Sequence, residues 1–296
     1  MNNSKKIIVV TGGAGFIGSN LIQLLINKTN FRIISIDNYS SGTKNNHIKN
    51  RRVKYIKADT KNITQTLKNP KFIITIFHFG EFARIYQSFL HMNECINSNS
   101  IGTNAVFNFC LKNKIKLIYS ATSATLGDNG NDKNLSPYAF TKSKNLEFLE
   151  NLKKWFNFKF EIIYFYNVYG PNQVEKGNMA TIIGIFENLY KRKKTLTVVK
   201  PGNQTRRFTH VLDTVNVCYI AWEKNLCRHY SIANKKSYSI VEVARMFKKK
   251  IRYLAKRPGE RYASSLINKN LSNKIYKYFG KIDLKNYIID FLAKNS

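Results

Sequence analysis

The chain has 296 residues, 43% of them hydrophobic, which is enough for a sizeable core in one large domain or two smaller packed ones. Its formal charge of +32 would by itself favour nucleic acid or an anionic membrane as partner, but the lysines are spread along the sequence in short clusters. We interpret them as solvated surface that also attracts an anionic small substrate, and we expect no nucleic-acid or membrane partner. The opening segment MNNSKKIIVVTGG has only four consecutive apolar residues, too few for a signal peptide or a membrane span.

The cysteines are scattered and form no close pairs in the sequence. They therefore suggest neither a zinc site nor a disulfide framework, and we expect a cytoplasmic protein without a metal. The four positions are Cys95, Cys110, Cys218 and Cys227.

Short apolar runs alternate with longer amphipathic segments in the first part of the chain, which is typical of βαβ units on a parallel sheet. Strands are predicted at 6–11, 32–37, 53–59, 72–79, 115–120 and 160–167. Helices between them include 16–27, 94–112 and 138–155. The pattern predicts an α/β protein with a Rossmann-type doubly wound parallel sheet.

The alternation loosens after the segment NVYGPNQ. A strand at 196–199 and a helix at 239–247 suggest a smaller α/β lobe. We expect residues 1–166 to form a dinucleotide-binding domain and residues 167–296 to form mainly a substrate lobe, with interleaving of the two left open.

A glycine-rich turn, TGGAGFIGSN, joins the first predicted strand to the first helix. Gly12, Gly15 and Gly18 permit a tight turn and close approach of the backbone to a pyrophosphate, which the helix N-terminus then attracts. Asp37 ends the second strand, where a carboxylate accepts hydrogen bonds from the adenosine ribose. That carboxylate would repel a 2′-phosphate and no arginine follows it directly, so the sequence favours NAD over NADP.

Further cofactor contacts are predicted around these residues. Asp59, at the end of the third strand, either accepts from the adenine amino group or caps a turn. The remaining expected contacts are Phe16, Ile17, Asn38, Phe79 and Gly80.

The segment SPYAFTK places Tyr138 and Lys142 four residues apart at the start of a predicted helix, so they share one face. A neighbouring ammonium and an oxidised nicotinamide ring both favour the phenolate, which lowers the pKa of the phenol. After a hydroxyl-rich strand end in a dinucleotide-binding chain, this pair is interpreted as a proton-transfer unit.

These motifs together resemble the extended short-chain dehydrogenase/reductase family, in its NAD-dependent nucleotide-sugar epimerase/dehydratase branch. The similarity includes the glycine motif, SIDNYSSG, IFHFG, NSIGT, the hydroxyl, tyrosine and lysine set, YNVYGPNQ, QTRRFTHVLD and RPGER, and so runs almost from end to end.

The resemblance implies the catalytic roles. It implies that Tyr138 is the acid/base, that Lys142 assists it and holds the nicotinamide ribose, and that Asn99 lines the NAD site. Counting back from the glycine of TLGD, the family's catalytic hydroxyl falls on Thr122, with Ser123 as the neighbouring alternative.

The resemblance also implies the substrate contacts and a homodimer formed through helices 94–112 and 138–155. Asn167 resembles a residue that holds the nucleotide diphosphate, Arg206 and Arg257 resemble diphosphate-binding arginines, and Glu260 resembles an acid that holds the ribose of the nucleotide. Asn178 is a further candidate.

Two departures from the family pattern concern the sugar. HFGEFARI replaces a small, apolar run and brings Glu81 and Arg84 near the expected meeting point of nicotinamide and sugar, where they either pair structurally or recognise a sugar substituent. Leu126 replaces a tyrosine.

The resemblance also bears on the reaction, because the dehydratases of the family place acidic residues just after the catalytic hydroxyl. A 4,6-dehydratase needs a positioned acid and base to eliminate water, whereas this chain has Ser123 and Ala124 there. We therefore expect a UDP-glucose 4-epimerase-like enzyme that works through transient hydride transfer to tightly bound NAD and a 4-keto sugar. A 4-reductase or dehydrogenase, a 4,6-dehydratase and a non-catalytic NAD-sensing nucleic-acid-binding protein are the alternatives.

Overall fold

The computed structural model of the chain describes residues 5–126, 133–259 and 275–295. Its β-strands are β1 (Ile7–Thr11), β2 (Arg32–Asp37), β3 (Val53–Lys57), β4 (Ile73–His78), β5 (Lys116–Thr122), β6 (Phe160–Phe165), β7 (Val168–Tyr169), β8 (Leu196–Val199), β9 (Thr205–Arg206), β10 (Thr209–His210), β11 (His229–Ala233), β12 (Tyr238–Ser239), β13 (Ile251–Leu254) and β14 (Ile275–Phe279). Its α-helices are α1 (Phe16–Lys28), α2 (Ile63–Thr66), α3 (Ile85–Leu90), α4 (Met92–Ile96), α5 (Thr103–Lys112), α6 (Pro137–Phe156), α7 (Ile182–Lys191), α8 (Val211–Lys224), α9 (Ile240–Met246) and α10 (Leu284–Asn295).

Within these described residues, eight parallel strands form the main sheet in the order β14-β11-β6-β5-β4-β1-β2-β3. The chain proceeds outward in one direction from β1 to β3 and then returns to pair β4 with the other edge of β1. In a doubly wound sheet, ligands bind outside the carboxyl ends of the strands at such a reversal point. The predicted Rossmann-type fold is confirmed.

Two apolar clusters cover the two faces of this sheet. Alternate residues of a strand point to opposite faces, so Val9 belongs to one cluster and Ile8 and Val10 to the other. Side chains of α5 and α6 pack in the cluster with Val9, and side chains of α1 and α8 pack in the second. Because both faces are covered, the strands are nearly continuous apolar runs.

The chain after residue 167 contributes to two parts of the molecule. β11 and β14 extend the main sheet, and α8 packs against α1 beside it. The remaining short strands form the pairs β7–β10, β9–β12 and β8–β13, and they surround a third apolar cluster that includes Phe186, Phe208 and Phe247. The division of the chain near residue 167 therefore does not separate the main sheet from the rest.

Most predicted elements are observed within one or two residues of their expected bounds. The largest difference is the predicted helix 94–112, which consists of α4, a π-helical segment at Asn97–Gly102 and α5. Among the described residues, no helix combines the length and the apolar character needed to cross a bilayer.

Candidate active site

A cleft with a volume of about 370 Å³ lies at the carboxyl ends of the central strands. The end that we call the cofactor end, after the sequence prediction, includes Gly12, Gly18, Asp37 and Asp59. The other end, which we call the sugar end after the expected substrate, includes Arg84, Tyr138, Asn167 and Met179. The predicted residues that also line it are Gly15, Phe16, Ile17, Asn38, Phe79, Gly80, Thr122, Ser123 and Lys142. The fold thus brings most of the predicted cofactor and catalytic residues to one cavity of the size of a small-molecule site.

The glycine-rich turn leaves no room for side chains. Gly12 has a φ of +69°, and a Cβ there would lie 2.8 Å from the backbone nitrogen of Gly80. A Cβ on Gly18 would lie 2.1 Å from the carbonyl oxygen of Gly12. The N-cap of α1, Gly15, offers no side chain to the helix, so the first N–H groups of α1 remain available to an anionic group at the cleft.

Asp37 is fixed beside this turn by two backbone donors. Its Oδ2 accepts a hydrogen bond from the Ala14 N–H at 3.0 Å, and its Oδ1 accepts from the Tyr39 N–H at 2.8 Å. Burial raises the pKa of Asp37, while these backbone hydrogen bonds oppose the rise. The carboxylate is therefore oriented into the cofactor end before any ligand binds.

Asp59 lines the cofactor end and also caps a turn. Its Oδ1 accepts from the Lys61 N–H at 3.0 Å, and its Oδ2 accepts from the Asn38 side-chain amide at 3.2 Å. Capping a turn does not prevent a contact with adenine, because Asp59 also lines the cleft.

Tyr138 and Lys142 lie on the first turns of α6, and both side chains are buried. The helix begins at Pro137, and the Ser136 side chain caps it by accepting from the Ala139 N–H at 3.1 Å. Lys142 Nζ donates to the Ser120 carbonyl oxygen at 2.6 Å and to Glu81 Oε2. Burial lowers the pKa of Lys142, and the Glu81 carboxylate raises it in part.

The hydroxyl groups at the end of β5 differ in their surroundings. Ser120 Oγ donates to the His78 carbonyl oxygen at 3.0 Å, and Thr125 Oγ1 donates to the Thr122 carbonyl oxygen at 2.7 Å. Thr122 Oγ1 accepts from the Ala124 N–H at 3.2 Å, so its own proton is not used in that bond. Thr122 and Ser123 both line the cleft.

Glu81 is the centre of a buried polar cluster that the sequence did not predict. Its Oε1 accepts from Thr103 Oγ1 at 3.0 Å, from the Tyr119 hydroxyl at 3.1 Å and from Asn145 Nδ2 at 3.4 Å. Its Oε2 accepts from Lys142, and the Glu81 side chain is only 2% exposed. Both oxygens of the carboxyl group are therefore used as hydrogen-bond acceptors.

His78 connects the cofactor end to this cluster. Thr11 Oγ1 accepts from the N–H groups of Phe79 and Gly80, both at 3.1 Å, so its proton points to His78 Nδ1 at 2.7 Å. His78 Nε2 then donates to Thr103 Oγ1 at 3.0 Å, and Thr103 donates onward to Glu81. Burial lowers the pKa of His78 to about 4, so the imidazole is neutral at pH 7.

Arg84 reaches the sugar end of the cleft from the segment before α3. Its Nε and Nη2 donate to the Met179 carbonyl oxygen at 3.0 and 2.5 Å, and its Nη1 donates to the Ala83 carbonyl oxygen at 2.7 Å. Burial lowers the pKa of Arg84 and the nearby Tyr138 phenol opposes that change. Glu81 and Arg84 do not form the structural pair that was one alternative for them, since Glu81 pairs with Lys142.

Several predicted residues do not line the cleft. Asn99 is fully buried, and its amide accepts from the Phe82 N–H at 2.7 Å and donates to the Phe82 carbonyl oxygen at 3.0 Å, so it holds the segment that follows β4. Arg206 is buried in β9 and Asn178 is exposed. Arg257 is exposed, with its guanidinium 4.8 Å from the centre of the Tyr86 ring. Glu260 lies outside the described residues.

The polar partners of Glu81 carry weak sequence signals. Asn145 lies one turn after Lys142 on α6, so helical periodicity places it on the same face. Tyr119 immediately precedes Ser120, whose carbonyl oxygen accepts from Lys142. Thr103 directly follows a π-helical segment at Asn97–Gly102. The direction of its side chain therefore could not be predicted from α-helical periodicity.

The doubly wound sheet and the position of the cleft are those of the extended short-chain dehydrogenase/reductase type. The NAD dependent epimerase/dehydratase family model matches residues 8–233, which is more than half of the chain, and the chain therefore belongs to that family.

Particular relatives narrow the comparison. A putative UDP-glucose 4-epimerase of Methanocaldococcus jannaschii is 28% identical over 301 residues, which cover 95% of this chain and 96% of the relative. An ADP-L-glycero-D-manno-heptose-6-epimerase of Brachyspira hyodysenteriae is 28% identical over 258 residues, covering 82% and 80% of the two chains. The solved UDP-N-acetylglucosamine 4-epimerase of Methanobrevibacter ruminantium M1, in complex with UDP-N-acetylmuramic acid, has a TM-score of 0.82 at 25% identity and covers 98% of this chain and 96% of its own.

The cofactor of the family is NAD, and the residues of the cleft fit it. Gly12 and Gly18 line the cleft where neighbouring backbone leaves no room for a Cβ, and the uncapped start of α1 suits a pyrophosphate. The oriented Asp37 carboxylate suits ribose hydroxyls and disfavours an additional phosphate.

Proposed function

We propose that this protein is an NAD-dependent epimerase of a nucleotide-diphosphate sugar, of the UDP-glucose 4-epimerase type. The supporting observation is the shared cleft: Tyr138, Lys142 and Thr122 line the same cavity as the glycine-rich turn. A protein that only senses NAD needs no acid/base group at the far end of its cofactor site. The relatives named above are epimerases acting on different sugars, so the sugar itself stays open.

The proposed reaction gives each side chain a defined task. Bound NAD supplies the hydride acceptor and donor. The Tyr138 phenolate takes the proton from the sugar hydroxyl, conventionally at C4, and later returns it, while the Thr122 hydroxyl donates a hydrogen bond to the same oxygen. Lys142 and the first turn of α6 hold the phenol in place. The keto sugar then turns over between the two proton transfers, which requires no further acid.

Epimerisation is favoured over dehydration by the contacts of Glu81. Elimination of water needs a positioned acid and base, and Glu81 is the acid that contacts Lys142. Both of its carboxyl oxygens are engaged by Thr103, Tyr119 and Lys142. We therefore infer that Glu81 has a positioning role and does not replace the acid that is missing after Thr122.

The function is tested by incubating the purified protein, without added NAD, with UDP-glucose, UDP-galactose and their N-acetylated and uronic forms. NMR of the sugar protons resolves an epimer from a 4-keto-6-deoxy product. An epimer formed from one of these sugars supports the proposal. Turnover that requires added NADPH and a keto sugar would indicate a reductase instead, and a 4-keto-6-deoxy product would indicate a dehydratase.

Tyr138→Phe is expected to lower kcat by about 10²- to 10⁴-fold, because the proton-transfer group is removed without changing the ring. The NAD content of the purified variant, measured after acid release, should match that of the unaltered protein. Ser120→Ala is a matched control, because Ser120 Oγ donates to a backbone carbonyl oxygen and should change kcat far less. An unchanged kcat in the phenylalanine variant would contradict the assignment.

A homodimer through the helices around residues 94–112 and 138–155 is part of the proposal. Large apolar side chains are exposed there, including Ile96, Ile101 and Phe140. A second copy of the chain would remove such apolar surface from water. Light scattering coupled to size exclusion should give twice the 34.3 kDa chain mass, and a monomer mass at micromolar concentration would contradict it.

A further inference from the structure

The positive charge of Lys142 is already compensated before a ligand binds. Lys142 and Glu81 form an ion pair whose side chains are 4% and 2% exposed. Thr103 and Tyr119 donate to the same carboxylate, which holds it in place. A buried neutral pair of this kind exerts much less electrostatic influence on Tyr138 than an unpaired ammonium would.

The positive charge of Arg84 is not compensated in the part of the chain that the structure describes. Its hydrogen-bond acceptors are the carbonyl oxygens of Met179 and Ala83, and no carboxylate pairs with it. Neutral acceptors fix the position of the guanidinium without cancelling its charge. Arg84 and Tyr138 both line the cleft, and they are close enough for the Tyr138 phenol to affect the pKa of Arg84.

Packing fixes the backbone of Arg84 relative to Tyr138. The Ser88 N–H donates to the Arg84 carbonyl oxygen at 3.2 Å, and Ser88 Oγ accepts from the Tyr138 N–H at 3.2 Å. Phe82 and Ile85, on either side of Arg84, pack against the apolar cluster that contains Tyr138. The start of α3 and the start of α6 are therefore held together, which fixes the backbone positions from which the guanidinium and the phenol extend.

The other titratable groups packed around Tyr138 are neutral at pH 7. Cys95 on α4 belongs to the same cluster, and burial raises its pKa to about 11. Burial and the Glu81 carboxylate raise the pKa of Tyr119 on β5 well above its ordinary value. Of the charged residues that line the cleft, Asp37 and Asp59 lie at the cofactor end, and Lys142, Glu81 and Arg84 remain as the charged groups considered for the phenol.

We propose that Arg84 supplies the positive charge that stabilises the Tyr138 phenolate, and that Glu81 is a positioning residue that holds Lys142 and cancels its charge. The charges of Lys142, Glu81 and Arg84 then add up to +1, as a single unpaired lysine would give. The uncompensated positive charge lies on Arg84, at the sugar end of the cleft, instead of on Lys142 in α6. The inference rests on the proposed function, because that function makes Tyr138 the acid/base.

The test titrates Tyr138 directly, so it does not depend on turnover. Holoprotein labelled with ¹³C at the tyrosine Cζ gives resonances for its 17 tyrosines, and Tyr138→Phe identifies the one from Tyr138. In Arg84→Gln, we expect the midpoint of the Tyr138 resonance to rise by about one pH unit, because a cation at short range is lost. Arg84→Lys should restore most of the shift.

Glu81→Gln should move the midpoint in the opposite direction by a similar amount, because the ammonium of Lys142 is then uncompensated. Lys144→Gln removes an exposed charge from the same helix and is the matched control, with no expected shift. If Arg84→Gln titrates like Lys144→Gln, the proposal is overturned, and the two Arg84 variants decide this even if Glu81→Gln does not fold. If the shifts occur without turnover of any nucleotide sugar, the electrostatic inference stands and the proposed function fails.

Where an active substrate is found, the acidic limb of the kcat profile provides a second readout. It should move to higher pH in Arg84→Gln and to lower pH in Glu81→Gln, each by about one unit. A fall in kcat at all pH values with no movement of the limb would show a purely structural role for Arg84 and would contradict the proposal.

Discussion

The two ends of the cleft are built in different ways. At the cofactor end, recognition depends on backbone: a glycine turn without room for side chains, an uncapped helix start and a carboxylate fixed by two N–H groups. At the opposite end, where we propose that the sugar binds, the cleft is lined by charged side chains: Glu81 engages Lys142, and Arg84 donates to the Met179 carbonyl oxygen. A site built from backbone suits one constant ligand, whereas a site built from side chains can be altered by single substitutions.

Gly12→Ala should have the largest effect on the cofactor end. A left-handed backbone costs an alanine about 1–2 kcal/mol, and its Cβ would in addition meet the Gly80 backbone at 2.8 Å. We expect at least a roughly tenfold fall in retained NAD, measured after acid release. Gly177→Ala is the control, because Gly177 has a φ of +78° but nothing within 4 Å of the added Cβ. Equal NAD loss in both variants would show that strain alone, and not the close approach, is responsible.

His78 links the two ends, and its burial predicts a loss of stability in acid. Above pH 6.5 the imidazole is neutral in both the folded and the unfolded chain, so it contributes no pH dependence. Between pH 6.5 and about 4 only the unfolded chain binds the proton, so the free energy of unfolding falls as the pH falls. This contribution should lower the free energy of unfolding by about 2 kcal/mol from pH 7 to pH 5.

Urea unfolding of the protein and of His78→Asn at the two pH values isolates this contribution, because the other titrating groups are common to both. The asparagine variant should start from a lower stability at pH 7 but lose about 2 kcal/mol less on acidification. An equal loss in the two proteins would mean that the imidazole is not kept neutral by burial.

Asp37→Asn is expected to have the smallest of these effects. The neutral side chain keeps its place beside Ala14 but no longer repels an additional phosphate, so the preference for NAD over NADP should narrow by about tenfold. Binding of both cofactors to apoprotein, measured by calorimetry, gives the ratio. Asp59→Asn, which changes a residue that also caps a turn, should alter that ratio less. A ratio unchanged by Asp37→Asn would argue that shape, not charge, excludes the phosphate.

Much of the fold and of the cofactor end could be predicted from local patterns. The glycine turn and the Tyr138–Lys142 pair each span only a few residues, and Asp37 ends a strand that local periodicity predicts. The contact of Glu81 with Lys142 joins the end of β4 to α6 and depends on the order of strands in the sheet. For the same reason, the addition of β11 and β14 to the main sheet could not be derived from their sequences.

The sequence predicted the absence of an acid next to Thr122 but not the contact between Glu81 and Lys142. Ser123 and Ala124 show that no carboxylate directly follows Thr122 in the chain. The structure nevertheless places Glu81 against Lys142, since β4 and β5 are neighbours in the sheet. The sequence can therefore show that an acid is missing next to Thr122 in the chain. It cannot show that no acid from a neighbouring strand reaches the site, because that depends on three-dimensional contacts.

Thr11 has a consequence for any attempt to re-engineer the enzyme. Its hydroxyl oxygen accepts hydrogen bonds from the N–H groups of Phe79 and Gly80. The backbone of Gly12 lies so close to the same two residues that a Cβ on Gly12 would clash with them. The segment that carries Glu81 and Arg84 is thus anchored on the strand that begins the nucleotide turn. Exchanging this segment as an independent cassette, with the aim of altering sugar choice, would also disturb the grip on the dinucleotide.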